Sequence, residues 1–94
     1  MSVDPADVPA GWELTGGEGG GDACLRRRFE FADFAEAWRF MEGVAAEAER
    51  RQHHPDWSNS WNVVTVELRS HDADAVTDRD LDLARAIDAV LDAL

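Results

Sequence analysis

Two segments of the chain, residues 24–31 and 61–71, alternate between apolar and polar side chains. The apolar positions on one face are Leu25, Phe29 and Phe31 in the first segment, and Val64, Val66 and Leu68 in the second. A period of two residues is typical of β-strands that have one buried face. Shorter strands are expected at residues 11–15 and near residues 57–61, so the pattern predicts about four strands.

A helix is predicted between these two segments. Asp33 and Glu36 have the spacing of a capping box, so the helix should begin near Phe34. It should end near Gln52, because Pro55 disfavours helical backbone angles at the residue before it. Apolar residues at steps of three and four predict a buried stripe, formed by Phe34, Ala37, Trp38, Met41, Val44, Ala45 and Ala48.

A second helix is predicted at the C-terminal end of the sequence. Thr77 and Asp80 repeat the spacing of a helix N-cap. The expected buried positions are Leu81, Ala84, Ile87, Val90, Leu91 and Leu94. Helices that follow hairpins predict an α+β fold, an antiparallel sheet of about four strands with two long helices packed on one face.

The organisation of the chain follows from its length and its glycines. Residues 1–10 are expected to be a short N-terminal leader, and residues 11–94 a single domain. The glycine-rich residues 16–21 are predicted to form a loop, since the Gly-Lys-Ser/Thr of a phosphate-binding loop is missing. Cys24 has no second cysteine with which to form a disulfide or a cysteine metal cluster.

The charge of the chain excludes some classes of function. The formal net charge is −11, and all nine basic residues are arginine. Such a chain repels phosphate backbones and anionic membranes, so no nucleic acid and no membrane is expected as a partner. Without a spanning segment or a signal peptide, the protein is expected to be cytoplasmic. The acidity and the lack of lysine fit either a source of high intracellular salt, because salt screens repulsion between carboxylates, or a GC-rich genome. Arg26, Arg27 and Arg28 are expected to pair with nearby carboxylates.

Three histidines are the candidates for chemistry. His53 and His54 precede Pro55 at a helix end, and His71 ends the predicted strand. Imidazoles titrate near neutrality, so a cluster of them can both donate and accept protons. A three-histidine zinc site is an alternative, although adjacent ligands are geometrically awkward. Exposed histidines without a function are the other alternative.

The order of these residues resembles pterin-4a-carbinolamine dehydratases. The similar motifs are Glu49-x-x-x-His53-His54-Pro55-x-Trp57, Trp61-Asn62, Ser70-His71-Asp72 and Thr77-x-x-Asp80. The resemblance extends over residues 11–88. It implies removal of water from 4a-hydroxytetrahydropterin, without a metal or other cofactor, to give quinonoid dihydropterin in tetrahydropterin recycling.

The resemblance also implies a site around the pterin. His53, His54 and His71 would be catalytic, with His53 and His71 as the acid–base pair and His54 binding or orienting. The residues expected to contact or support the substrate are Pro55, Ser70, Asp72, Glu49 and Trp57. Glu49 lies four residues before His53 and could reach it on the helix.

The family resemblance bears on partners as well. It implies a homodimer or homotetramer and a functional link to an aromatic amino acid hydroxylase, whose product would be the substrate. Proteins of this family also serve as dimerisation or assembly modules, and a non-catalytic module of the same fold is the alternative function. Retention of all three histidines favours catalysis.

Overall fold

The computed structural model describes residues 4–16, 23–73 and 75–94. Within these ranges the elements are a short 3₁₀ helix (Pro5–Asp7), strands β1 (Glu13–Thr15), β2 (Cys24–Glu30), β3 (Asp56–Ser60) and β4 (Val63–Leu68), and helices α1 (Phe34–Arg51) and α2 (Asp78–Asp92). The strands form one antiparallel sheet in the order β1-β2-β4-β3. The α+β prediction is confirmed. Apart from Gly16, the predicted glycine-rich loop lies outside the described residues.

The two faces of the sheet have different environments. Leu25 pairs with Leu68, and Phe29 pairs with Val64, and these four side chains are buried. The helices cover this face, as the alternation of β4 predicts. The opposite face is polar, and there Arg26 contacts Glu67 across the strands at 3.4 Å. In the described ranges, no helix combines the length and the apolar character needed to cross a bilayer.

The buried face of α1 differs from the predicted stripe. Phe34 and Trp38 are 47% and 50% exposed, whereas Phe40, which the stripe omits, is fully buried. The Phe40 ring packs against Phe29 and Phe31 of the sheet side, with centroids 4.7 and 5.0 Å away. This contact rotates the helix, so that its buried residues are Ala37, Phe40, Val44 and Ala48. The prediction that Phe34 and Trp38 belong to the core is therefore wrong.

Three ends of elements also differ from the pattern. The strand predicted over residues 61–71 is limited to β4, because Trp61 lies in the turn after β3 with a φ of +50° and is 66% exposed. His71 lies in the turn that follows β4. Leu94, predicted to be buried, follows the end of α2 and is 49% exposed.

Arg27 occupies a position of β2 that alternates with the exposed side chains, and its charge is compensated by a carboxylate of α2. Arg27 donates to Asp88 at 2.9 Å, and the Trp12 indole N–H donates to the same carboxylate oxygen at 2.8 Å. The Arg27 guanidinium also lies 4.6 Å from the centre of the Phe29 ring. Gly11 has a φ of +90°, and a β-carbon there would lie 2.9 Å from Arg27 Cζ. We call Trp12, Arg27 and Asp88 the Asp88 cluster.

Candidate active site

The histidine pair follows the C-terminus of α1. Gln52 ends the helix in a left-handed conformation, with a φ of +51°. The His53 N–H then donates to the Ala48 carbonyl at 3.1 Å, an arrangement typical of helix ends of this kind. This reversal directs His53 toward the interior, where the residue is 7% exposed. Pro55 prevents the helix from continuing.

His53 belongs to a buried polar cluster with Ser70, Thr77 and Asp80, which we call the Asp80 cluster. His53 Nε2 lies 2.6 Å from Asp80 Oδ1, and Asp80 is fully buried. The Ser70 hydroxyl and the Thr77 N–H each donate to Asp80 Oδ2 at 2.9 Å. An ionised carboxylate only accepts hydrogen bonds, so Asp80 in that form orients His53 with the proton on Nε2.

Local structure explains why these groups meet. Ser70 follows β4 and forms an isolated bridge with Ala75, which closes the turn between β4 and α2. Thr77 is the N-cap of α2, and Asp80 is the third residue of its first turn. A carboxylate at this position ordinarily binds the N-cap amide. Here one oxygen of Asp80 does so, and the other faces His53.

The other two histidines contact carboxylates at the surface. His54 Nε2 lies 2.9 Å from Glu49 Oε1, and His71 Nε2 lies 3.3 Å from Asp56 Oδ2. The side chains of His54 and His71 are 58% and 66% exposed. The expectation that Glu49 reaches His53 is wrong, because the turn at the end of α1 directs His53 inward and leaves His54 beside Glu49.

All three histidines line one pocket, of about 360 Å³. The lining residues are Gln52, His53, His54, Pro55, Asp56, His71, Asp72 and Arg79. Its size is at the lower end of the range found for small-molecule sites. Arg79 donates to the Gln52 carbonyl at 3.2 Å and lies 3.5 Å from Asp72, so it connects the end of α1 to the turn before α2. We call this cavity the histidine pocket.

The remaining predicted site residues lie around the histidine pocket. Ser70 is 1% exposed and its hydroxyl is bound within the Asp80 cluster. Glu49 contacts the pocket through His54. Trp57 packs partly buried against the core and lines a separate cavity on the open face of the sheet.

The structure adds Asp56, Arg79 and Asp80 to the predicted site. The sequence identifies Asp80 as a helix-capping residue and as part of the Thr77-x-x-Asp80 motif of the family resemblance, but neither signal gives it a role in the site. Nothing in the sequence distinguishes Asp56 and Arg79 from other charged surface residues. Among the residues that the structure describes, no group of three or more His, Cys, Asp or Glu side chains is arranged to hold a metal ion.

The family described as pterin 4 alpha carbinolamine dehydratase matches residues 3–90. The chain belongs to this family. A relative in Novosphingobium aromaticivorans is 52% identical over 68 residues, which are 72% of this chain and 71% of the relative. A relative in Burkholderia cenocepacia is 54% identical over 68 residues, 72% of this chain and 67% of that one. Both carry names that assign them provisionally to pterin-4-alpha-carbinolamine dehydratase.

Solved structures agree with the membership of this pterin dehydratase family. A transcriptional coactivator/pterin dehydratase from Brucella melitensis superposes with a TM-score of 0.77 at 37% identity, over 86% of this chain and 82% of that one. A pterin dehydratase-like protein, identified as a RuBisCO assembly factor in the alpha-carboxysome, gives a TM-score of 0.70 at 22% identity, over 84% of this chain and 87% of that one. The second similarity shows the fold alone.

Proposed function

We propose that the protein removes water from 4a-hydroxytetrahydropterin and releases quinonoid dihydropterin. The observation that carries this proposal is the position of His53, buried between a fully buried carboxylate and a pocket that two further histidines line. A titratable group held by a specific partner beside a cavity is a common feature of catalytic sites. Family membership supplies the substrate class.

The reaction requires two proton transfers and no change of redox state. The C4a hydroxyl accepts a proton and leaves as water with the electrons of the C–O bond. The N5 proton is removed, and the N5–H electrons form the C4a–N5 double bond. Hydroxide is a poor leaving group, so a general acid at the hydroxyl and a general base at N5 both accelerate the step.

We assign the acid and base roles to His53 and His71, and substrate binding to His54. Asp80 holds His53 with Nε2 toward the carboxylate, so that Nδ1 is the atom for proton exchange. The Asp80 carboxylate also compensates the positive charge that arises when the ring accepts a proton, as in other carboxylate–histidine pairs. The exposed His71 can exchange its proton with solvent between turnovers.

The substrate-binding residues are proposed on position. Pro55 and Asp72 line the histidine pocket and would contact the edge of the pterin ring. Ser70 would act through its hydrogen bond to Asp80, and Glu49 through its contact with His54. Trp57 would support the substrate from the neighbouring cavity.

The proposed reaction also implies a source of substrate and an oligomeric state. We expect an aromatic amino acid hydroxylase in the cytoplasm to supply the substrate. We also expect a homodimer or homotetramer, because the outer strand β3 presents a free edge in the described sheet. Sedimentation of the purified chain measures this directly, and a monomer at micromolar concentration would contradict it.

The test of the proposed function is the rate at which 4a-hydroxytetrahydropterin disappears. The wild-type protein should exceed the rate in buffer, and His53→Ala and His71→Ala should lose most of that excess. A wild-type rate equal to that in buffer would sink the proposal. It would favour the alternative, an assembly module, for which the stacked and half-exposed Phe34 and Trp38 on α1 offer a contact surface.

A further inference from the structure

The outer strand β3 has a regular hydrogen-bonding edge that is unpaired in the described sheet. Ser60 pairs with Val63 across a two-residue turn, so these two residues exchange both backbone hydrogen bonds. Because this pattern alternates along an antiparallel pair, the N–H and C=O groups of Trp57 and Asn59 point away from β4. Strand β3 contains no proline and one charged residue, so little prevents a second strand from pairing with this edge.

A second copy of the chain fits this edge in one register. Two β3 strands that pair antiparallel about a twofold axis at Ser58 place Trp57 of each copy opposite Asn59 of the other. All the outward backbone groups of these two residues are then paired, whereas an axis at either of them leaves half of the groups unpaired within β3. The register also places Asp56 opposite the partner's Ser60, so no two carboxylates face one another.

This register brings the hairpin tip of one copy to the histidine pocket of the other. Pro55 precedes β3 and lines that pocket, and Trp61 follows β3. One step beyond the last strand pair, Trp61 of the partner copy therefore lies opposite Pro55. The Cα atoms of opposed residues in antiparallel strands are about 5 Å apart, so the indole is within reach of the pocket.

Trp61 is held in a conformation that exposes its indole. Its φ of +50° is unfavourable for a bulky side chain, and glycine is the usual residue where the first position of a two-residue turn has a positive φ. The Asn59 side chain donates to the carbonyls of Trp61 and Val63 at 3.1 and 2.9 Å and so fixes the turn. Trp61 is 66% exposed. A strained backbone that presents an aromatic ring is typical of a binding residue.

One copy alone leaves much of the histidine pocket uncovered. The side chains of His54 and His71 are 58% and 66% exposed, whereas small-molecule sites bury about 70–90% of their ligand. A pterin is planar and aromatic, and an indole stacked on it covers one of its faces. We propose that Trp61 of the partner copy forms a wall of the histidine pocket and stacks on the pterin, so that the complete site belongs to a dimer. The inference rests on the proposed function for the identity of its ligand.

Two serines of β3 test the register. Ser58→Lys places two like charges opposite one another at the twofold axis, so the dissociation constant of the dimer should rise about fivefold. Ser60→Lys is the matched control, because its ammonium group faces the partner's Asp56 and should lower that constant about threefold. Both serines are exposed, and the two variants change the net charge equally. Sedimentation equilibrium measures the constants, and equal values for the two variants would contradict the register.

Binding of oxidised, unsubstituted pterin, followed by the fluorescence of the ligand, tests the contact with the indole. Trp61→Gly suits the φ of the turn and removes the ring, so the dissociation constant for pterin should rise about tenfold. Trp61→Phe should restore most of the affinity. Trp38→Ala removes an exposed tryptophan of α1 and should bind pterin as the wild type does. An unchanged affinity in Trp61→Gly would contradict the inference.

Mixed dimers determine which copy supplies the indole. When His53→Ala and Trp61→Gly copies exchange subunits, one site of each mixed dimer combines an intact His53 with an intact Trp61 from the other copy. If Trp61 acts across the interface, dehydration by the mixture at low substrate concentration should be about fivefold faster than the mean of the two parent dimers. A rate equal to that mean would show that Trp61 acts within its own chain and would overturn the inference.

The results distinguish failure of this inference from failure of the proposed function. If the wild-type protein dehydrates 4a-hydroxytetrahydropterin but the mixed dimers show no gain, the proposed function stands and the inference is wrong. If the protein does not dehydrate the substrate, but its pterin binding depends on Trp61 and weakens as the dimer dissociates on dilution, the function is wrong and the inference stands. If it neither binds pterin nor dehydrates the substrate, both are wrong.

Discussion

Helix α2 carries two aspartates whose carboxylates are bound by other parts of the fold, and they differ in the chemistry of their partners. Asp80 contacts the imidazole of His53, and Asp88 accepts from the guanidinium of Arg27 and the indole of Trp12. Imidazole gains and loses a proton near neutral pH, whereas guanidinium stays protonated and indole only donates. The Asp80 cluster can therefore take part in proton transfer, and the Asp88 cluster cannot.

The two clusters also differ in their surroundings. Asp80 is fully buried, and its partner His53 lines the histidine pocket. The side chain of Asp88 is 26% exposed, and its contacts join the segment before β1, strand β2 and α2. An ion pair alone therefore does not distinguish the candidate active site from a structural contact in this protein. A titratable partner beside a cavity is the distinguishing feature.

The largest expected effect separates the two aspartates by activity. Asp80→Asn replaces the carboxylate by an amide that no longer fixes the proton on His53 Nε2, so kcat for dehydration should fall about 10- to 100-fold. Asp88→Asn should leave kcat unchanged once the folded fraction is equalised. Both are measured in the same dehydration assay, and an equal loss in the two variants would contradict the comparison.

The next effect separates them by stability. Asp88→Ala leaves Arg27 and Trp12 without their shared acceptor, and the free energy of unfolding should fall by about 1–2 kcal/mol. Asp82→Ala on the outer side of α2 is the control, because its contact with Arg85 at 3.6 Å is exposed and should contribute about 0.5 kcal/mol or less. Urea unfolding followed by circular dichroism gives both values. A control as destabilised as Asp88→Ala would show that the Asp88 cluster adds nothing specific.

A smaller effect is expected at the exposed histidine–carboxylate pair. Glu49→Gln weakens the contact with His54, which is half exposed and screened by water, so kcat/KM should fall about threefold. Glu42→Gln, at an exposed position on α1 away from the histidines, should be neutral. Steady-state kinetics on the two variants test this. A loss for Glu49→Gln as large as that for Asp80→Asn would show that burial does not determine how much each carboxylate contributes to activity.

The smallest effect concerns Glu47, a carboxylate that two arginines contact. Hydrogen bonds from Arg50, and then from Arg51, lower the pKa of Glu47 below its ordinary value of 4.5. A lowered pKa in the folded state means that the pair stabilises the fold above pH 4.5 and that this contribution is lost as the pH falls through the lowered value. Glu47→Gln should thus be slightly less stable than wild type at about pH 7 and equal to it at the acid end. An NMR titration of Glu47 checks the direction, and a raised pKa would contradict it.

The sequence predicts the fold well where the physical signal is local. Alternation identifies β2 and β4, and Asp33 and Pro55 bound α1, because caps and prolines act within one helical turn. The rotation of α1 could not be predicted, since it depends on the packing of Phe40 against rings from the sheet side. The spacing of apolar residues along α1 is almost equally consistent with a neighbouring buried stripe that includes Trp38.

The sequence singles out the three histidines of the candidate site and only part of what surrounds them. His53, His54 and His71 line one pocket, because the turn after β4 lies beside the end of α1. The roles of Asp80 and Arg27 depend on contacts 27 and 61 residues apart in sequence. Such contacts leave no local pattern in the sequence. Capping and motif spacing therefore single out Asp80, and Arg27 breaks the apolar alternation of its strand, but neither signal predicts the partner of the side chain.

The most direct measurement of the central claim, that Asp80 acts through His53, is a double-mutant cycle on kcat for dehydration with His53→Ala, Asp80→Asn and the combined variant. If Asp80 acts only by orienting His53, the combined variant should be no slower than His53→Ala alone. If the two losses multiply, Asp80 acts independently of His53, and its role in orienting that imidazole is contradicted.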